Sequence, residues 1–109
     1  MDMKTEKQRL EAVRRDLMRQ MKRIGPGIGD TVAIVERKCG KKSCACHRGG
    51  PKHPAMFVTW KEERKTQALY VPREMEPEVQ RWAENHKTLR ALIRRITEIQ
   101  KQILRLRER

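Results

Sequence analysis

Apolar residues recur every three or four positions at both ends of the chain. In the N-terminal part, one such series would share a single face of a helix: Leu10, Val13, Leu17, Met21 and Ile24. The pattern predicts a helix within residues 1–24, from about Thr5, with Thr5 and Gln8 forming a capping box. The sequence Gly-Pro-Gly at residues 25–27 ends this helix, because glycine and proline both disfavour its continuation.

A longer apolar series occupies the C-terminal part. Pro77 fits the first position of a helix, where its missing N–H costs nothing, and neither proline nor glycine interrupts residues 78–109. The sequence therefore predicts a helix over residues 77–109. Its apolar positions alternate spacings of three and four, as in the a/d seam of a coiled coil: Leu89, Leu92, Ile96, Ile99, Ile103 and Leu106. This seam packs either on the N-terminal helix or on a second chain, and we expect a helical hairpin that also self-associates.

Between the two predicted helices, the pattern changes to short runs rich in β-branched residues. Three runs predict strands: residues 31–37, 55–61 and 65–71. A turn at residues 62–64 and the stop at Pro72 favour an antiparallel β-meander over residues 31–71. Its aromatic side chains, Phe57, Trp60 and Tyr70, are predicted to form the core of the sheet, with stacking on nucleic-acid bases as the alternative.

Three cysteines lie within eight residues: Cys39, Cys44 and Cys46. They cannot all pair with one another, and the N-terminus lacks an apolar segment of the signal-peptide type. No apolar run approaches the roughly 20 residues that span a bilayer. We therefore expect reduced thiols, a cytoplasmic location and no membrane association.

Clustered thiolates are typical ligands of Zn²⁺, which takes four sulfur or nitrogen ligands in a tetrahedral structural site. The three cysteines supply three ligands, and either His47 or His53 supplies the fourth. We favour His53, because ligation by the adjacent residues Cys46 and His47 would strain a tetrahedron, whereas the Gly-Gly-Pro at 49–51 can turn the chain back toward His53. No carboxylate in this loop is placed as a general base, so we expect a structural zinc ion and no enzymatic activity.

Positive charge dominates the composition. The 109 residues include 27 Lys or Arg and 14 Asp or Glu, which gives a formal net charge of +13. Such a charge favours polyanionic partners, with nucleic acid ahead of an anionic membrane surface. The predicted phosphate contacts are Arg37, Lys38, Lys41, Lys42, Arg48 and Lys52 around the cysteines, and Arg90, Arg94 and Arg95 on the C-terminal helix.

The apolar residues are too few for a large core, and a three-stranded sheet is near the lower limit of independent stability. We therefore predict a single α+β domain over residues 1–109. It consists of a small zinc-stabilised three-stranded antiparallel β-meander, flanked by an N-terminal helix and a long C-terminal coiled-coil-like helix.

The cysteine segment and its surroundings resemble a small uncharacterised family of prokaryotic proteins that are often encoded near transposases. The resemblance rests on Cys39-Gly40-Lys41-x-x-Cys44-x-Cys46, His53, Tyr70-Val71-Pro72 and Arg81-Trp82, and it covers about residues 31–95. Pro54 replaces the usual glycine, and Ala55-Met56 replaces the usual aromatic residues. The resemblance implies His53 as the fourth ligand and a mobile-element or nucleic-acid context, with no established activity.

Together these features predict a zinc-containing basic protein that binds nucleic acid, as an accessory or regulatory factor of a mobile element. The residues leave DNA and RNA both open, and the resemblance favours DNA. Two alternatives stay open at this point. The C-terminal seam could serve a protein-interaction or homo-oligomerisation module, or the cysteines could act as a redox or metal sensor in a regulator.

Overall fold

The structure is a computed structural model that describes residues 3–107. Its elements are α1 (Met3–Lys22), β1 (Thr31–Arg37), β2 (His53–Glu62), β3 (Lys65–Val71) and α2 (Glu76–Arg107), with short 3₁₀ turns at Ala45–Arg48 and Arg73–Met75. This confirms the predicted α+β fold of an N-terminal helix, a three-stranded sheet and a long C-terminal helix. Residues 1–2 and 108–109, at the outer limits of the segments that contain the two predicted helices, lie outside the described residues. No described helix is both long and apolar enough to cross a membrane.

The three strands form the predicted antiparallel meander, in the order β1-β2-β3. β2 begins at His53, two residues earlier than the sequence indicated. Pro54 can join it because β3 ends level with Met56, so only β1 lies alongside Pro54. The turn between β2 and β3 contains only Glu63 and Arg64, whose φ values of 50° and 68° fit a tight type I′ hairpin.

The described residues form two compact units. One comprises the residues up to Gly27 together with those from Glu84 onward, and the other comprises Ile28–Ala83. α2 begins in the second unit and ends in the first. The single domain predicted for residues 1–109 stays a prediction.

The first unit is a hairpin of two antiparallel helices. The guanidinium of Arg14 donates to Oε1 of Gln100 over 3.2 Å, and Nδ2 of Asn85 donates to the carbonyl oxygen of Pro26 over 2.8 Å. As the residue number increases from Arg14 to Pro26, the number of the contacting residue on α2 decreases from Gln100 to Asn85, so the two segments run antiparallel. Every seam residue from Leu89 to Leu106 is buried or half-buried within the single chain. The seam is therefore packed in this hairpin, and self-association stays a prediction.

One detail of the α1 prediction is wrong. α1 begins at Met3, so Thr5 already lies inside the helix and cannot form the predicted capping box. The predicted face of α1 is not buried evenly. Leu10 and Leu17 are buried, whereas Val13 is 40% exposed and lines a hollow with Leu17 and Ile99.

Leu17 is only 1% exposed and is the most deeply buried side chain of the hairpin. Leu17→Ala should lower the free energy of unfolding by about 2–5 kcal/mol, because it removes buried methyl groups and leaves a cavity. The matched control Val13→Ala should change it by less than about 1 kcal/mol, because Val13 is 40% exposed and its removal leaves no closed cavity. Urea denaturation followed by circular dichroism measures both. Equal losses from the two variants would contradict this packing.

The second unit places one face of the sheet against the beginning of α2. Its core consists of Met56, Val58, Val71 and Val79, and Trp60 and Trp82 pack against it. Trp60 thus has the predicted core position, but Phe57 and Tyr70 do not. They lie on the opposite face, because side chains alternate along a strand and Phe57 stands between the two buried residues Met56 and Val58. α2 begins at Glu76, so Pro77 is its second residue rather than its first.

Candidate metal centre

The loop between β1 and β2 folds into consecutive tight turns that return the chain to its starting point. The backbone N–H of Cys44 donates to the oxygen of Lys41 over 3.0 Å, and the N–H of Gly50 donates to the oxygen of Ala45 over 2.8 Å. Gly49 has a φ of 85°, in the left-handed region that favours glycine. The strand register then sets His53 opposite Arg37, two residues before Cys39. The loop therefore brings together residues that are up to 14 positions apart.

Four side chains meet at this point: Cys39, Cys44, Cys46 and His53. Their candidate ligand atoms all lie within 4.8 Å of one another. Sγ of Cys39 is 3.6 Å from Sγ of Cys46, and Sγ of Cys44 is 3.3 Å from Nε2 of His53. Zinc–sulfur bonds of about 2.3 Å in a tetrahedron would separate two sulfur atoms by about 3.8 Å. The group is therefore spaced to hold one metal ion with three sulfur ligands and one nitrogen ligand.

His47, the alternative fourth ligand, lies outside this group. Its Nε2 donates to the carbonyl oxygen of Cys39 over 2.7 Å, so it fastens the backbone of a candidate ligand instead. The backbone N–H of Cys39 in turn donates to Sγ of Cys46 over 3.3 Å. Hydrogen bonds of this kind orient ligands and stabilise negative charge on sulfur in metal sites.

The thiols differ in their readiness to ionise. The pKa of Cys44 is lowered from 9.0 to about 6, because the backbone N–H of Cys46 and then the side chain of His53 hydrogen-bond to its sulfur. For Cys46, the N–H of Cys39 favours the thiolate, but burial and the neighbouring thiols outweigh this effect, so its pKa is raised. Cys44 is thus a thiolate near neutral pH, which is the form that binds metals.

Gly50 is required by a close backbone approach. A Cβ added there would lie 2.6 Å from the carbonyl oxygen of Ala45, whereas a Cβ added at Gly40 would meet nothing within 4 Å. Gly50→Ala should therefore displace the turn that leads to His53 and weaken metal binding by at least about tenfold. Loss of contacts that support metal ligands typically costs about 10–100-fold in affinity. Gly40→Ala should bind the metal as the wild type does. Competition with a zinc chelator measures the two affinities, and an unaltered affinity of Gly50→Ala would show that the turn does not position the ligands.

The predicted phosphate contacts are all exposed. Those in the second unit are Arg37, Lys38, Lys41, Lys42, Arg48 and Lys52, and those in the hairpin are Arg90, Arg94 and Arg95. The ion pairs described within residues 3–107 lie inside the two helices, as between Arg9 and Glu6 or between Lys101 and Glu98. None involves a cation of the loop, so the charge of the loop is not neutralised by acidic side chains of the described residues.

One cation beside the metal centre, Arg73, is not among the predicted phosphate contacts. Arg73, in the 3₁₀ turn after β3, lines a groove together with Arg37, Lys38 and Tyr70, and the groove extends to Cys39 and His53. Its position could have been inferred from β3. Side chains alternate along a strand, so Tyr70 lies on the face opposite the core, and Arg73 follows it by only three residues.

Residues 7–81 match the model of a protein family that is described as a domain of unknown function. The match includes α1 from Lys7 onward, the sheet, the cysteine loop and the beginning of α2. No curated protein and no solved structure matches the chain significantly.

Proposed function

The chain belongs to the DUF6788 family, a domain of unknown function, and we propose from its own residues that it is a zinc-containing basic protein that binds nucleic acid. The observation that carries the proposal is the position of the Cys3His group inside the most basic segment of the chain. The metal would fix the conformation of a loop whose exposed cations contact phosphates. The resemblance to proteins encoded near transposases favours DNA, a cytoplasmic location and an accessory or regulatory role in a mobile element.

The donor set supports zinc as the metal. Three thiolates and one imidazole are a common structural zinc set, whereas calcium and magnesium prefer oxygen ligands and iron–sulfur clusters usually take four cysteines. When bound, zinc supplies four bonds that tie Cys39, at the end of β1, to His53, at the start of β2. All four positions of the tetrahedron would be filled by side chains, which leaves none for a reacting water molecule. This arrangement favours a structural role and a protein that is not an enzyme.

The cations of the loop support the second half of the proposal. Six lysine and arginine residues lie between residues 36 and 53, and all of them are exposed. Contacts between such side chains and phosphates release condensed counterions, which gives affinity without sequence readout. We therefore expect binding that is dominated by the nucleic-acid backbone. The alternatives of self-association through α2 and of redox or metal sensing stay predictions.

Binding at increasing salt tests the proposal. The zinc-loaded protein is titrated into fluorescently labelled duplex and single-stranded DNA between 50 and 300 mM salt, and anisotropy gives the dissociation constant at each concentration. The logarithm of the association constant should fall linearly with the logarithm of the salt concentration, by about 0.9 per phosphate contact for duplex and about 0.7 for single strands. An absence of binding at the lowest salt concentration would refute the proposed function.

A further inference from the structure

The acidic residues of the sheet are confined to one of its faces. Glu36 and Glu62, the two acidic residues of the strands, lie on the face that carries the core, together with Lys65. The opposite face, which we call the open face, carries Arg37 and Lys61 and no acidic strand residue. A surface with cations and without carboxylates attracts an anionic ligand.

The open face also exposes an aromatic ring. Tyr70 lies directly opposite Phe57, with ring centroids 5.7 Å apart and an angle of 68° between the planes. The guanidinium of Arg37 covers Phe57, at 5.4 Å from its centroid, so Phe57 is occupied. Tyr70 remains 54% exposed, and its neighbours on β2 and β3 include the small residues Ala55 and Ala68. Small side chains around an exposed ring leave space for a second flat group to lie against it.

The groove described above joins this ring to the metal centre. It is lined by the cations Arg37, Lys38 and Arg73, by Tyr70, and by the candidate ligands Cys39 and His53. The groove therefore offers one flat apolar surface flanked by three positive charges. A single-stranded nucleic acid matches this combination, because it presents unpaired bases and phosphates in alternation. A duplex keeps its base faces stacked inside, and an acidic peptide would use the cations but not the ring.

We propose that the open face binds a single strand, with one unpaired base stacked on Tyr70 and the adjoining phosphates held by Arg37, Lys38 and Arg73. This inference rests on the proposed function and specifies where on the molecule a base would stack. The shape of the groove should depend on the metal, since the candidate ligands Cys39 and His53 line part of it.

The test uses the full zinc-loaded chain and three labelled probes of equal length and charge: oligothymidylate, the same strand without bases, and oligouridylate. The wild type should bind oligothymidylate about tenfold more tightly than the abasic strand, within the range of about 1–3 kcal/mol per stacked base. Tyr70→Leu should remove this preference, and Tyr70→Phe should keep it. The control Leu69→Ala changes an exposed neighbour on the core face and should bind as the wild type does. Arg73→Gln should weaken both DNA probes equally and lower the salt slope by about 0.7.

The outcomes separate this inference from the function on which it rests. If the wild type binds the abasic strand as tightly as oligothymidylate, or if Tyr70→Leu keeps the preference for bases, the open face is not the base site, although nucleic-acid binding by the loop would stand. If none of the three single-stranded probes binds at low salt, the inference is wrong, and duplex DNA at the same salt concentration then decides whether the proposed function stands. Competition by polyglutamate that equals competition by oligothymidylate would also overturn the inference. A preference for oligouridylate that Tyr70→Leu abolishes would support the stacking site and identify RNA as its strand.

Discussion

Replacing Cys44 with serine should abolish tight zinc binding and unfold residues 38–52. The Cys3His group lies in a segment rich in lysine and glycine, where Cys46 is the only fully buried side chain of the described loop. Structural zinc contributes apparent free energies of about 10–16 kcal/mol in small zinc domains, which rivals the total stability of about 5–15 kcal/mol of an ordinary domain. Because a site formed only in the folded chain converts binding energy into folding energy, its loss should have the largest effect of any single substitution.

The control for Cys44→Ser is Ser43→Ala, an exposed neighbour outside the ligand group. Elemental analysis should find one zinc ion per chain in the wild type and in Ser43→Ala, and less than a tenth of that in Cys44→Ser. In NMR spectra, the backbone amide signals of residues 38–52 should be dispersed in the wild type and in Ser43→Ala. In Cys44→Ser they should move to random-coil chemical shifts. A Cys44→Ser protein with wild-type spectra and an unchanged melting temperature would show that the metal does not hold this loop.

The two histidines of the loop give a finer test of the same site. His53→Ala removes a candidate ligand, whereas His47→Ala removes only the hydrogen bond to the carbonyl of Cys39. Loss of such a supporting contact costs about 10–100-fold in metal affinity, and loss of a ligand should cost more. The reverse order of the two affinities would assign His47 as the fourth ligand.

Neutralising the loop should cause the largest loss of nucleic-acid affinity. In the triple variant Lys41→Gln, Lys42→Gln and Arg48→Gln, three exposed cations disappear while the ligands stay. Each contact with a duplex phosphate contributes about 0.9 to the salt slope, which corresponds to roughly tenfold in affinity near 0.1 M salt. The triple variant should therefore bind duplex DNA several hundredfold more weakly at that salt concentration, with a slope lower by up to about 2.7.

The matched control removes the same charge from the helices. Lys7, Lys87 and Lys101 are exposed, and each pairs with a glutamate one turn away on its own helix. Their joint replacement by glutamine lowers the net charge by the same three units and should reduce affinity by less than tenfold. If both triple variants lose affinity equally, the protein binds through its overall charge and the loop has no special part.

The order and type of the elements could be predicted because they depend on local patterns. Regular spacing of apolar residues marks both helices, and β-branched runs mark the strands. The ligand group was also predictable, since a glycine-rich basic loop offers little core in which clustered cysteines could be buried, and thiolate and imidazole groups together are typical ligands of zinc. The packing of the seam residue Leu92 inside the hairpin follows from the same period, and Leu92 is 6% exposed.

The faces of the sheet could not be predicted in the same way. Residues 55–58 are all apolar, so alternation cannot show which of them face the core. The choice is made by the beginning of α2, where Val79 packs with Met56 and Val58 and leaves Phe57 on the open face. The exposure of Val13 could not be predicted for a similar reason, because the depth of burial along the face of α1 depends on how α2 packs against it.

The zinc K-edge absorption spectrum of the purified chain, together with its zinc content, decides whether the Cys3His group holds the metal. We expect one zinc ion per chain, with three sulfur atoms at about 2.3 Å and one nitrogen atom at about 2.0 Å. A first shell rich in oxygen, or a folded chain that retains no zinc with its thiols reduced, would contradict this expectation.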